Sequence, residues 1–128
     1  MLETLLGWEL EVDRGPGWLF VRIRCPNQDP WEPPALADRV WRLLQEHFVD
    51  RVVLELDQIE ILSSRLIGQL VLLYKRVSSR GGVMRLSGLS PENQEVLRLC
   101  RLDERFASYH NREEAVLGGY QPAHHSPK

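Results

Sequence analysis

The sequence predicts a single α/β domain in the order ββαβαβαβα, and three observations carry that expectation. Hydrophobic spacing switches repeatedly between a two-residue and a 3.6-residue period along the chain. Clusters of Gly, Pro, Asn and Ser punctuate the periodic segments. The 128 residues are enough to bury a core without staples and too few for a second full domain.

Glu9 to Asp13 and Trp18 to Arg24 alternate apolar and polar side chains around Arg14-Gly15-Pro16-Gly17, the pattern of two strands joined by a tight turn. Cys25 to Pro34 carries four prolines with Asn27 and Asp29, which is loop chemistry. From Ala35 to Phe48 the spacing is helical, with Leu36, Val40, Leu43, Leu44 and Phe48 in one stripe expected to be buried. Val52 to Asp57 is β-branched with acids at alternate positions, so it reads as a strand with one fully apolar face. After the apolar segment Ile59 to Leu62, helical spacing returns from Arg65 to Ser79, and Gly81-Gly82 ends it before a strand over Val83 to Ser87. Ser90 as N-cap, Pro91 at the first helical position and Glu92 announce a helix running to about Cys100, with Val96, Leu97 and Cys100 on its apolar side. Phe106 to Tyr109 suits a short last strand, and Asn111 with Glu114 opens a final helix ending at Gly118-Gly119. The domain therefore spans 1–118, and the polar, proline-containing residues 119–128 are expected to be a disordered tail.

Hydrophobic residues at 43% and charged residues at 27% are ordinary globular usage. Sixteen Lys plus Arg against eighteen Asp plus Glu give a net charge of -2, without the basic excess that direct nucleic-acid or anionic-membrane binding requires; protein partners are expected instead. The N-terminal residues lack a basic region ahead of an apolar core, so they do not resemble a secretion signal, and no uncharged run approaches the roughly 20 residues of a membrane helix. A cytoplasmic protein is expected. Cys25 and Cys100 lack neighbours at zinc-ligand spacing and are expected to be reduced and buried. His47 is expected to be packed or partly exposed, and His124-His125 lacks two further ligands, so neither a metal nor any other cofactor is implied.

Laying the residues from Arg65 onward at about 100° apart gathers Leu66, Leu70, Leu73, Tyr74 and Val77 in one arc with Ile67 at its edge. Arg65, Gln69, Leu72 and Arg76 fall together on another side. That stripe suits a protein contact, or equally a solvated face with one isolated leucine. Ser63 and Ser64 stand where the helix begins, so either can cap its first N–H groups. A phosphate there would add about -1.5 to -2 charges at the positive end of the helix dipole, tolerated by the chain itself and costly beneath an acidic or apolar partner. The plain alternative is two serines that cap a helix.

The order of elements, together with Val52-Val53-Leu54-Glu55-Leu56, Ile61-Leu62-Ser63-Ser64-Arg65-Leu66-Ile67-Gly68-Gln69-Leu70, Arg80-Gly81-Gly82-Val83-Met84-Arg85-Leu86, Leu89-Ser90-Pro91 and Leu102-Asp103-Glu104-Arg105-Phe106, resembles the STAS domain of bacterial anti-sigma factor antagonists. The resemblance covers nearly the whole chain. It implies a small mixed sheet with helices packed mainly on one side, and a partner switch in which the domain binds an anti-sigma factor with serine kinase activity. In that family an Asp-Ser-Ser/Thr-Gly-Leu-Gly motif opens the second helix, and the serine after the aspartate is phosphorylated. Carried over position by position, the aspartate falls on Ser63, the phosphorylated serine on Ser64 and the last glycine on Gly68, while Leu66 replaces the earlier glycine. Arg65 stands where the family has a small residue and could steady a neighbouring phosphate. Asp29 lies near where the family often has an acid facing the same site.

The resemblance implies a partner surface of Ser63, Ser64, Arg65, Gln69, Leu72, Arg76 and Asp29, with Ser64 the phosphorylation site. No catalytic residue is expected, since no phosphate loop, kinase signature or nucleophile elbow is present and His47 and His110 have no triad context. A second reading is a STAS scaffold or oligomerisation module that does not switch, in which case a homodimer would be indifferent to Ser64. A third, a small-ligand pocket, finds no ligand-specific residues in the sequence.

Overall fold

A computed structural model describes residues 1–26 and 33–118 of the chain. The elements run β1 (Leu2–Leu5), β2 (Trp8–Gly15), β3 (Trp18–Arg24), α1 (Leu36–Glu46), β4 (Arg51–Glu55), α2 (Ser64–Ser79), β5 (Val83–Ser87), α3 (Pro91–Leu99), β6 (Ser108–Tyr109) and α4 (Arg112–Val116). One mixed sheet takes the strands in chain order, β1-β2-β3-β4-β5-β6. The first three are antiparallel neighbours and β3 to β6 are parallel.

The α/β fold is the expected one, with one strand more than the sequence suggested. β1 is four residues long, and Leu6 and Gly7 turn it into β2 with φ of +52° and +86°. A two-residue turn with both φ positive is the hairpin connection that matches strand twist, but leucine is an unusual occupant, so the sequence did not signal it. At the next hairpin the expected turn shortens to Pro16-Gly17, because Gly15 pairs with Trp18 and Gly17 takes φ +76°.

Alternation along the strands divides the core. Leu10, Val12, Leu19, Val21, Val52, Leu54 and Leu86 face α1, α2 and α3 in the main cluster, which also holds the expected buried arc of α2. Trp18, Phe20 and Val53 point to the other face, where α4 lays Ala115 on them. β4 is thus buried on both faces. Its polar side is closed by Glu55, which is 3% exposed and accepts Arg112 Nε and Nη2 at 2.8 and 2.6 Å. Phe106 is a plug in the main core, edge-on to Tyr74 with ring centroids 5.4 Å apart, rather than part of the last strand.

Three expectations about burial are corrected. Phe48 does not join the stripe of α1: the helix ends at Glu46 and Phe48 turns into the left-handed region at φ +56°, leaving it 92% exposed. Cys25 is only half-buried, enough to push its thiol pKa up by desolvation. Cys100 caps the end of α3 and is exposed. Among the described residues no helix is long and apolar enough to cross a membrane. The expected disordered tail, residues 119–128, lies outside the described residues.

Candidate functional site

β4 delivers the chain to one end of the sheet, and the segment 56–63 then leads to α2. Two contacts shape that segment. Leu56 continues the ladder by donating its N–H to Ser87 O at 2.8 Å. Gly88, at φ +77°, brings the chain leaving β5 so close that a Cβ there would stand 2.8 Å from the Cβ of Asp57, so no other residue fits without displacing the segment. Asp57 is anchored in turn by Arg22, whose Nε donates to it at 3.0 Å. Partial burial works against the charged form of Asp57, but the bonds from Arg22 and Gln58 outweigh it and hold the carboxyl below the usual aspartate range.

The rest of the segment is clamped from α3. Asn93 is 2% exposed; its Oδ1 accepts the Leu62 N–H at 3.0 Å and its Nδ2 donates to Ile59 O at 3.1 Å. Ile59 and Leu62 are buried on either side of this clamp, and Ile61 between them is 73% exposed. The sequence reading overlooked Asn93, although it held a signal. Asn93 lies four residues before the core residue Leu97, so a polar amide occupies the buried stripe of α3.

α2 then starts. Ser63 is extended, with φ −72° and ψ 160°, and its Oγ accepts the Leu66 N–H at 3.1 Å. Of the two serines, Ser63 is therefore the cap, and Ser64 is the first helical residue with its side chain exposed. One turn on, Gly68 is exposed, and a Cβ there would meet nothing within 4 Å. A further turn on, Leu72 is 53% exposed. Ser64, Gly68 and Leu72 thus form a shallow column at the i, i+4, i+8 positions, with Ile61 at its head.

The stripe read from the sequence divides in two. Arg65, Leu72 and Arg76 are exposed and Gln69 is half-buried, and both Gln69 and Arg76 reach toward α1. Gln69 Oε1 accepts the Ala37 N–H at 2.9 Å, capping a helix that has no side-chain cap of its own because Ala35 stands at the N-cap position. Arg76 Nη1 donates to Asp38 at 3.3 Å. Asp29 lies outside the described residues. The column therefore offers a hydroxyl, a gap and two apolar side chains at a helix N-terminus. It suits contact with another protein surface, and it holds no arrangement of base and nucleophile.

The family model for the STAS domain matches residues 32–115. No curated protein matches the chain by sequence. Among solved structures, an anti-sigma factor antagonist from Mycobacterium paratuberculosis superposes with a TM-score of 0.70 at 18% identity, covering 91% of this chain and 97% of that one. An anti-sigma-factor antagonist (STAS) domain protein from Planctomyces limnophilus gives 0.59 at 22% identity, covering 85% and 96%. A protein of the stressosome, a signal integration and transduction hub, gives 0.64 at 16% identity, covering 83% and 92%. At such identities the likeness shows the shared fold, while the family match spans about two-thirds of the sequence, β4 and the whole of α2 included, and by that match the chain belongs to the STAS domain family.

Proposed function

We propose that this domain, residues 1–118, is a cytoplasmic, non-catalytic anti-sigma factor antagonist that binds an anti-sigma factor with serine kinase activity and is released when Ser64 is phosphorylated. The observation that carries the reading is the division of labour at the start of α2. Ser63 already caps the helix, so the exposed Ser64 hydroxyl can be modified without removing a bond the fold uses. A phosphate on Ser64 would sit at the positive end of the α2 dipole and leave the backbone in place. It would also stand at the head of the Gly68–Leu72 column, where a partner seated on Ile61 and Leu72 would have to bury it. Loss of about 1.4 kcal/mol weakens such a contact tenfold. Ser63, Arg65, Gln69, Leu72, Arg76 and Asp29 complete the surface in this reading, with Gln69 and Arg76 acting through the α1–α2 contact they hold.

The test is to recover the bound partner from the native cell, incubate the purified pair with ATP and map any phosphate by mass spectrometry. Phosphate on Ser64, and loss of binding in Ser64→Asp, are expected. Undiminished binding by Ser64→Asp would overturn the switch. A second reading, a STAS scaffold that does not switch, draws on Ser63 in place of the family's aspartate and on the fold shared with a stressosome protein. It expects assembly that is the same with and without the Ser64 hydroxyl.

A further inference from the structure

At the end of the α1–α2 pair remote from Ser64, about 24 Å along α2 at 1.5 Å per residue, the molecule carries a groove and a side chain with no place in its own core. The groove, about 250 Å³, has apolar walls from Trp41, Leu44, Val49 and Val77 and a polar rim that includes Asp50 and Arg80. Arg80 lies over the Trp41 ring, 5.6 Å from its centroid. Pockets for small organic ligands are larger, about 300–1,000 Å³, whereas a single water needs only about 30 Å³. The space has room for one inserted aromatic ring, since a cavity of about 150 Å³ already admits benzene.

Phe48 follows α1 at this same end. Its N–H donates to Gln45 O at 3.2 Å, and the next residue, Val49, is itself part of the groove wall. Phe48 is 92% exposed and holds φ +56°. Both features are unfavourable in an isolated chain. A large aromatic ring stands in water, and a residue with a Cβ occupies a conformation that glycine would take without strain. The left-handed turn at Phe48 closes α1, with the Val49 N–H donating to Leu44 O at 3.1 Å, but the exposure of the ring has no such return within the described residues.

We infer that this patch is a two-fold interface between two copies of the chain, with Phe48 of each copy seated in the groove of the other and Asp50 of each facing Arg80 of the other. A two-fold contact brings one patch against itself, so the patch must contain both halves of every interaction. This one does: the ring lies beside the groove, and the acid and the base share one rim. A different protein would need only half of that set. Because the patch and Ser64 are at opposite ends of α2, the dimer leaves the Ser64 column open on both copies, and the inference rests on neither reading of Ser64.

Sedimentation equilibrium of the full chain over a dilution series tests it. A concentration-dependent dimer is expected, and a monomer throughout the series overturns the proposal. Phe48→Gly removes the ring and supplies the residue best suited to φ +56°, so the thermal midpoint, compared at a dilution where the parent is monomeric, should not fall while dimerisation weakens at least tenfold. A dimer of unchanged affinity overturns it. Asp50→Arg and Arg80→Asp should each disrupt the dimer alone, and an equimolar mixture should form a heterodimer, since each copy then offers what the other lacks. Failure of the mixture to associate would rule out the pairing across the rim. Ser64→Asp should leave the dimer unchanged.

Discussion

Asn93 Oδ1 accepts the backbone N–H of Leu62 at 3.0 Å, so a side chain on α3 fixes the chain one residue ahead of the serine that caps α2. Through Nδ2 the same amide holds Ile59 O at 3.1 Å, and both bonds are buried. Asn93→Ala would leave a buried N–H and a buried carbonyl without partners, at a cost of about 3 kcal/mol. The denaturation midpoint should fall by the corresponding amount with an unchanged slope, and hydrogen exchange at Leu62 should accelerate beyond the global change. An exchange rate that follows global stability alone would show that the amide does not hold this segment specifically.

The two serines are predicted to separate by stability before any partner is known. Ser63→Ala removes the Oγ that accepts from Leu66, and the loss of an N-cap costs about 1 kcal/mol. Ser64→Ala changes an exposed first-turn side chain and should lie within about 0.5 kcal/mol of the parent. Urea unfolding of the two variants side by side checks this. Equal losses would mean that the Ser64 hydroxyl is used by the fold and is not available for modification at little cost.

What could be read from the sequence follows from how local each signal is. The strand alternation in Leu19, Val21 and Ile23 and the caps at Ser90 and Asn111 are signalled by residues a few positions apart, and the structure has them as expected. The same locality misled at Phe48. Its spacing from Leu44 continues the buried stripe, but the break of α1 at Glu46 turns it outward. The contacts of Gln69 and Asn93 escape the sequence for the opposite reason: their partners, Ala37 and Leu62, lie 32 and 31 residues away. A helical wheel places a side chain on a face and says nothing of which backbone group meets it there.

Gln69 carries a further prediction. Because α1 is capped by α2 rather than by its own residue, Gln69→Ala should cost about 1 kcal/mol and fray the first turn of α1. Gln69→Glu keeps an acceptor at that site and adds a charge favourable to the α1 dipole, so it should restore most of the loss. Amide exchange at Ala37 reads the difference. If the fraying appears equally in both variants, the cap is not the reason.

On the face covered by α4, Arg112 holds the buried Glu55 with two hydrogen bonds, lies 4.4 Å from the centroid of Phe20 and meets Asp13 at 3.2 Å. Arg112→Ala leaves a carboxylate that is 3% exposed with Arg22, at 3.7 Å, as its remaining counter-charge among the described residues. Removing one member of a buried pair costs about 3–5 kcal/mol, and the Arg22 contact places this case near the lower end. Undocking of α4 would uncover Trp18, so its fluorescence should shift to the red. Replacing both residues together, as Glu55→Leu with Arg112→Met, should recover much of the loss, because the uncompensated charge is then gone. A double variant as unstable as Arg112→Ala would mean that packing of α4, and not the stranded carboxylate, sets the cost.

The edge strand β1 is tied to α1 by one ion pair, in which Arg39 Nε and Nη2 donate to the two carboxylate oxygens of Glu3 at 2.7 and 2.6 Å. The hydrogen bonds from Arg39 hold the Glu3 carboxyl below the usual glutamate range, overcoming the opposing effect of partial burial. A carboxyl whose pKa is lower folded than unfolded binds protons more readily in the unfolded chain, so its stabilisation is complete above the unfolded value of about 4.3 and disappears as pH falls through the folded value. Allowing for the solvent that reaches the pair, the effect is on the order of 1 kcal/mol. Glu3→Gln should therefore be less stable than the parent at neutral pH, and the gap should close in acid. Asp57, whose pKa is also lowered, contributes the same slope to both proteins and cancels in the comparison. Denaturation midpoints of the pair at about pH 7 and about pH 3 decide it, and a gap that persists undiminished in acid would assign the stabilisation to packing of the Glu3 and Arg39 side chains instead of to their charges.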